Sequence, residues 1–365
     1  MKVNFVLDSI YTQNLIKALI ESDEIKNNKL ILIYRNSIKN ISEEYLKYII
    51  LIKRTTGIFR FADEFKVVEK YIKDFKEINF HYLSFEALWI INKFKDKVYG
   101  WFLWGGDFYP YIKINQYSEE TRKIIVNNNQ SKGFKDRFLE HFMLFFRKRA
   151  IKNIKYIYTW NNYDYSLLKD NFNTNAEFRY FTYPYVNDYE NLDILCNLEK
   201  DSDEIVIQVG NSGDATNNHL EIFKSLEKFK DKNFIVITPL SYGDKDYIEK
   251  LIVEGHKILG DKFKPINNKL PLNEYSKQLA RVDVAIMNHY RQQGAGNIVS
   301  LLYLGKKVYL NREVTTYKTF KEWGIDIYSI DDLNDSFEEI IKLDGESIDK
   351  NRCIIRNKFS NEVCL

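Results

Sequence analysis

Residues 205–219 read IVIQVGNSGDATNNH: an apolar run, a polar turn flanked by Gly210 and Gly213, and the opening of a helix. Glycines at a strand-to-helix turn let the backbone come close to a ligand, and the first N–H groups of the helix, which have no intrahelical partner, point at it. That geometry favours an anion such as a phosphate. Asn211 and Ser212 add side-chain hydrogen bonds, Asp214 or Thr216 caps the helix, and His219 either reaches the phosphates or packs. The plain alternative is an ordinary tight βα turn.

Residues 282–313, VDVAIMNHYRQQGAGNIVSLLYLGKKVYLNRE, repeat the device. A strand ends near Asn288, the segment Arg291, Gln292, Gln293, Gly294, Ala295, Gly296, Asn297 follows, and an apolar helix begins. An arginine and two amides now stand where oxygen atoms can be gripped. Two such loops at the carboxyl ends of strands in one α/β domain converge on the crevice where open parallel sheets bind ligands, and a diphosphate is the natural guest.

Working outward, β and α patterns alternate on both sides. Before the first loop come strand candidates at 3–7, 30–34, 78–82, 97–101 and 156–159. After it come 234–238, a short strand near Lys264, 282–287 and 307–310, with helical periods between them. Apolar runs punctuated by turns and alternating with helices indicate parallel sheets covered on both faces. Residues 186–203, polar and acidic, read as the joint between two domains, 1–190 and 191–365. At 365 residues two domains also fit the length. The expected fold class is α/β of the GT-B kind: two Rossmann-like domains, with the diphosphate site in the second.

Charge divides along the same line: 30 Lys+Arg against 23 Asp+Glu in residues 1–190, and 24 against 28 in the rest. A net charge of +3 argues against nucleic acid held by bulk electrostatics, while the basic first half suits an anionic partner. Cys196, Cys353 and Cys364 have no CxxC spacing and cannot all pair, so a reducing compartment, the cytoplasm, is expected and a zinc site is not. The opening MKVNFVLDSIY lacks the pattern of a secretory signal, and no run reaches the roughly 18 apolar residues of a membrane span. Residues 132–155 carry eight Lys/Arg, Arg147, Lys148 and Arg149 among them, interleaved with Phe134, Phe138, Phe142, Met143, Phe145 and Phe146. That mixture reads either as a helix lying on an anionic membrane surface or as a core-facing amphipathic helix.

In the first half, the strand before Trp104-Gly105-Gly106-Asp107 makes Asp107 the candidate general base, with His81 after INFHY as its rival. The alternatives are an Asx turn or N-cap for Asp107 and a core histidine for His81. The DSD triplet at 201–203 precedes a strand and cannot meet a diphosphate at a strand's carboxyl end, so no metal or cofactor is expected. The phosphate charge is then met by helix N-termini and Arg291.

These residues resemble the TDP-N-acetylfucosamine:lipid II N-acetylfucosaminyltransferases, or 4-acetamido-4,6-dideoxy-galactosyltransferases, of glycosyltransferase family 56. The shared pieces are Phe80-His81, WGGDFY from Trp104, YPY around Pro184, VGNSGD from Val209, NHL at 218–220, the 239–242 loop ending in Tyr242, RQQGAGN from Arg291 and LNRE from Leu310. They occur in order across most of the chain, most densely between 205 and 315. The resemblance implies transfer of a 4-acetamido-4,6-dideoxyhexose from a TDP-sugar to a glycan on an undecaprenyl diphosphate carrier, by a peripheral protein on the cytoplasmic face of a bacterial inner membrane. The helix after the second loop has no acidic residue to hold a ribose 2′-OH, which a deoxyribose donor lacks. Two other readings of the same residues stay open: a nucleotide-sugar epimerase of GT-B-like fold, and a noncatalytic nucleotide-sugar or glycan-binding protein.

Overall fold

A computed structural model describes residues 1–54, 60–125, 134–184, 189–198, 202–334 and 336–360, with the backbone alone at 60–64, 134–139, 272 and 334. Lys132, Tyr185 and Asp201 lie outside the described residues, as do the side chains of Phe134 and Phe138.

Two parallel sheets carry the fold. The first contains β1 (Lys2–Val6), β2 (Asn28–Tyr34), β3 (Ile49–Lys53), β4 (Glu77–Phe80), β5 (Val98–Phe102), β6 (Ile154–Tyr158) and β7 (Glu177–Arg179), in the order β3-β2-β1-β4-β5-β6-β7. The second contains β8 (Ile205–Val209), β9 (Phe234–Pro239), β10 (Phe263–Ile266), β11 (Val284–Met287), β12 (Lys307–Leu310) and β13 (Tyr328–Ser329), in the order β10-β9-β8-β11-β12-β13. Strands buried on both faces need continuous apolar runs, and β11 and β12 are buried at every residue.

In each sheet the chain first builds outward on one side and then returns to build on the other. The turn-around falls between β1 and β4 in the first sheet and between β8 and β11 in the second. Loops leaving these neighbouring strands diverge, which opens a crevice at their carboxyl ends. Both Gly-rich loops found in the sequence stand there, after β8 and after β11.

A single cut at 190/191 does not describe the compact units. One is Met1–Lys113 with Ser131–Val186 and Phe359–Leu365; the other is Ile114–Gln130 with Asn187–Lys358. The excursion is anchored in the second unit: Ile124 and Ile125 pack on the apolar core built around β8, β9 and β11. The expected joint also changes character. It contains the helix Tyr189–Leu195, whose Leu192 and Leu195 are buried and whose Asp193 accepts hydrogen bonds from Tyr303 and Arg356, both at 2.6 Å. Two leucines three residues apart are too short a period to stand out from a polar stretch. β3, β7 and β13 were likewise too short or too weakly bounded to read. Among the described residues no helix is long and apolar enough to cross a membrane.

Candidate functional site

In the second unit, β8 delivers the turn Gly210–Asp214. Its glycines serve neighbouring protein as much as any ligand. Gly213 N–H donates to the Tyr242 carbonyl at 2.8 Å, and Asp244 N–H donates to the Gly213 carbonyl at 3.2 Å, so this turn is bonded to the loop after β9. A Cβ at Gly213 would clash with Ile248 Cδ1. The expectation that Gly213 opens the backbone to a ligand is therefore corrected: it opens it to the 242–244 loop. Asp214 Oδ1 accepts the Thr216 N–H at 2.9 Å and caps the short helix Ala215–Asn217.

A buried amide network fixes the loops relative to one another. Asn217 Oδ1 accepts from Asn211 N–H and from His289 Nε2, both at 2.9 Å, and its Nδ2 donates to Ser212 Oγ at 3.1 Å. Asn218 Nδ2 donates to the Asn288 carbonyl at 3.0 Å, and Asn288 Nδ2 returns a bond to the Asn218 carbonyl at 3.1 Å. Satisfied buried polar groups of this kind specify one arrangement, since breaking any of them leaves an unpaired group in low dielectric. His219 is fully buried, with Nδ1 3.0 Å from the Tyr247 hydroxyl, and burial lowers its pKa to about 3. Of its two sequence readings, packing holds. The neutral ring supports the loop beneath Gly210 and presents no charge to a phosphate.

The loop after β11 reaches back to the first. Arg291 Nη2 donates to Thr216 Oγ1 at 3.4 Å, and its Nη1 donates to the Gln292 carbonyl at 3.3 Å. Gln293 Oε1 stands 2.7 Å from Thr216 Oγ1. Gly294 adopts φ +65°, where a side chain would be strained, and a Cβ there would crowd Asn211 Cγ at 3.0 Å. It starts the helix Ala295–Tyr303, which includes Gly296 and Asn297 in its first turn and has no side-chain cap. An uncapped N-terminus presents donors and a partial positive charge. Beside it, buried Asn211 Oδ1 has no hydrogen-bond partner among the described residues.

Two tyrosines border this place. Tyr242 is 61% exposed, and its hydroxyl donates to the Asn211 carbonyl at 3.3 Å. Tyr275, on the helix Leu272–Arg281, lies near Tyr242 and Asn297, and burial raises its pKa. Nothing in the sequence singled out Tyr275, one aromatic among many on an amphipathic helix.

In the first unit Asp107 is not placed as a base. It is fully buried, Oδ2 accepts Leu83 N–H and Trp101 Nε1–H, both at 2.7 Å, and Oδ1 accepts Trp104 N–H at 2.9 Å. Burial raises its pKa to about 6 against the pull of those three bonds and of Arg147. Arg147 Nη1 donates to the Asp107 carbonyl at 2.9 Å and Nη2 to the Leu83 carbonyl at 3.0 Å, with its guanidinium 3.6 Å over the Tyr111 ring. Asp107 is the third residue of the short helix Gly105–Phe108 and its carboxylate reaches back to the N–H of the capping position, Trp104, so it is neither an Asx turn nor an N-cap; its buried, fully bonded carboxylate does not match the general-base expectation.

His81 is also buried, stacked on Phe102 at 3.9 Å, with Nδ1 2.8 Å from the Tyr183 hydroxyl and a pKa lowered by burial to about 3. Trp104 Nε1 donates to the same hydroxyl at 3.1 Å, and the Tyr11 ring meets Trp104 edge-on at 5.1 Å. Tyr11, Trp104 and Tyr183 thus form a half-buried aromatic cluster where β1, β4 and β5 end.

The basic aromatic segment forms the helix Phe134–Ile151. Its described surface face carries His141, Phe142, Phe145, Lys148 and Arg149, with Phe142 52% and Phe145 64% exposed. Arg147 does not belong to that face, because it is buried on Asp107 and Leu83.

The family model described as 4-alpha-L-fucosyltransferase, glycosyl transferase group 56, matches residues 129–359. Among solved structures, a glycosyltransferase from Rickettsia africae ESF-5 is 13% identical, with a TM-score of 0.63 over 100% of this chain and 95% of that one. Anabaena Alr3699/HepE in complex with UDP and glucose is 11% identical, with a TM-score of 0.65 over 100% and 97%. WaaG, a glycosyltransferase involved in lipopolysaccharide biosynthesis, is 12% identical, with a TM-score of 0.57 over 98% and 94%. At these identities the likeness establishes the fold, two Rossmann-like domains of the GT-B class.

Proposed function

The chain belongs to the 4-alpha-L-fucosyltransferase family, glycosyl transferase group 56, and is a glycosyltransferase; from that premise we propose that it moves a 4-acetamido-4,6-dideoxyhexose from a TDP-sugar to a lipid-diphosphate-linked glycan in bacterial surface polysaccharide synthesis. The observation that carries the donor half is the meeting of two loops at the β8/β11 turn-around. Arg291 and Gln293 reach Thr216 across it, the helix starting at Gly294 is uncapped, and Asn211 Oδ1 has no partner among the described residues. An anionic diphosphate accepts from the Arg291 guanidinium and the N–H groups at the helix start, while Asn211 Oδ1, an acceptor, calls for a donor such as a hydroxyl of the sugar. The Anabaena fold neighbour, a complex with UDP and glucose, is in keeping with such a guest. The first turn of the helix Ala295–Tyr303 has no acidic residue, which favours a deoxyribose nucleotide.

The acceptor is assigned to the first unit. Aromatic rings with a fixed polar edge suit pyranose rings, whose C–H faces are apolar and whose hydroxyls seek hydrogen bonds. Tyr11, Trp104 and Tyr183 provide them, with Asp107 holding the Trp104 turn and His81 holding Tyr183. A lipid-linked acceptor brings the protein to an anionic membrane surface, and Phe142 and Phe145 beside Lys148 and Arg149 combine apolar insertion with attraction to lipid headgroups. The protein is then peripheral on the cytoplasmic face of the inner membrane, and the reaction needs no metal.

Ranking TDP, UDP and GDP by thermal shift tests the donor class, because a ligand specific for the folded state stabilises it in proportion to RT ln(1 + [L]/Kd). TDP is expected to shift the melting temperature most. A larger shift with UDP or GDP overturns the thymidine assignment, and transfer of labelled sugar to a water-soluble lipid-diphosphate glycan analogue tests the acceptor.

A further inference from the structure

The excursion at 114–125 is costly in chain and has no place in the parallel sheet of the second unit. It packs instead against the helices His219–Glu227 and Lys245–Leu259, and its bonds are specific. Ser118 N–H donates to Asn218 Oδ1 at 2.8 Å, and Asn218 Nδ2 donates to the Gln116 carbonyl at 3.1 Å. Asn218 is the fully buried residue that also ties the loop after β8 to Asn288 after β11. Further along, Glu120 N–H donates to Glu221 Oε1 at 2.9 Å, Lys224 pairs with Glu120 at 2.6 Å, and Lys250 donates to the Ile124 carbonyl at 3.1 Å.

One residue lies between the two that Asn218 pins, and it is Tyr117. The phenol is 36% exposed, so it is not held there by burial in a core. Its hydroxyl feels Asp214, Arg291 and Asp244, groups from the three loops that follow β8, β11 and β9. Both of those carboxylates are already used as helix caps, Asp214 on Thr216 N–H and Asp244 on Tyr247 N–H, each at 2.9 Å. The Tyr117 hydroxyl makes no hydrogen bond among the described residues, and burial raises its pKa, so at neutral pH it keeps its proton. A protonated hydroxyl beside Arg291 is a hydrogen-bond donor available to an anion.

We propose that Tyr117 is a donor-binding residue whose hydroxyl donates to the diphosphate of the nucleotide-sugar, and that residues 116–118 are a third wall of the donor site, positioned by Asn218. The inference rests on the donor site proposed above and deepens it. It makes the site depend on a segment that precedes the second unit's main sequence by about 70 residues.

Tyr117→Phe tests it, since the change removes one hydroxyl and keeps the ring. Calorimetry with TDP and, in competition, with thymidine separates the contact from a structural effect. The variant is expected to bind TDP about tenfold more weakly, the scale of a hydrogen bond to a charged group, with thymidine affinity and melting temperature unchanged. TDP affinity equal to wild type overturns the inference while leaving the donor site in place. Thymidine affinity falling in step with TDP also overturns it, by showing a general loosening of the loops. Wild-type protein that binds none of TDP, UDP and GDP sinks the donor site and the inference together.

Discussion

The indole N–H of Trp101 donates to the carboxylate of Asp107 at 2.7 Å, and both residues have no exposure at all. Leu83 N–H shares the same oxygen and Trp104 N–H takes the other, so three N–H donors are aimed at an acceptor-only carboxylate. An asparagine here can serve the two donors at Oδ2 only by turning its NH₂ against the N–H of Trp104. Asp107→Asn is expected to lower stability by about 1 to 3 kcal/mol, read as a lower melting temperature, while TDP binding is retained. A hundredfold loss of turnover with the melting temperature intact would return Asp107 to the chemistry.

Stability should fall on acidification. Burial holds His81, His219 and His289 neutral with pKa values of about 3, against 6.5 for the free side chain. The unfolded chain therefore binds more protons, and the stability these residues contribute is present above pH 6.5 and lost as pH drops toward 3. Asp107, raised to about 6 from 3.8, has the opposite sign: the folded state takes up its proton first as pH falls, so its effect favours folding below pH 6. Three protons against one leave a net loss on the order of 2 to 3 kcal/mol per pH unit near pH 5. His219→Gln should flatten the dependence by about one proton, and urea midpoints at pH 7 and pH 5 that move equally in both proteins would refute it.

Gly213→Ala should weaken the fold of the second unit as well as the site. Its new Cβ clashes with Ile248 Cδ1, where the loop after β8 is bonded to Tyr242 and Asp244. Overpacking of this kind costs about 1 to 3 kcal/mol. Adding Ile248→Ala removes the clashing atom and should recover part of the loss. A Gly213→Ala protein with unchanged melting temperature and lost TDP binding would restore the ligand-approach reading.

Arg291→Ala should weaken TDP binding by about 1 to 3 kcal/mol, the range of a charge-assisted hydrogen bond. The residue is partly exposed and its bonds to Gln292 and Thr216 are long, 3.3 and 3.4 Å, so melting temperature should change little. Unchanged nucleotide affinity in calorimetry takes it out of the site.

Phe142→Ala with Phe145→Ala should release the protein from vesicles containing anionic lipid, and Lys148→Glu with Arg149→Glu should do the same more strongly at low salt. Both pairs are exposed and should leave the fold intact. Equal vesicle sedimentation of wild type and variants would make this an ordinary surface helix. Arg147 is left out of the set because its guanidinium supports Asp107 and Leu83.

The alternation of apolar runs with helical periods was enough to read two parallel-sheet domains, because a strand covered on both faces must be apolar throughout and a helix must repeat near 3.6 residues. The two loops at 210–214 and 291–297 were legible for a related reason: a chain that turns sharply from strand to helix needs glycine at fixed points, and glycine leaves a mark in sequence. Which atoms those glycines admit left no mark. Gly213 admits the 242–244 loop, a neighbour some 30 residues away, and that pairing exists only once β8 and β9 lie side by side.

For several polar side chains the sequence left two roles open, and burial is what distinguishes them. Asp107, Arg147 and His219 have the residue types of a base, a lipid contact and a phosphate ligand, and all three are in the interior holding backbone or ring partners. Local sequence states what a side chain can do chemically, and packing states whether water, lipid or substrate ever reaches it. The excursion at 114–125 shows the same division. Nothing in the sequence marks it, because the bonds from Asn218 to Gln116 and Ser118 span about 100 positions and have no local period. Pattern along the chain determined the two sheets and the place of the two Gly-rich loops. Contacts between distant segments decided which side chains face that place, since such contacts depend on where the strands bring the chain together and not on the order of residues within any one of them.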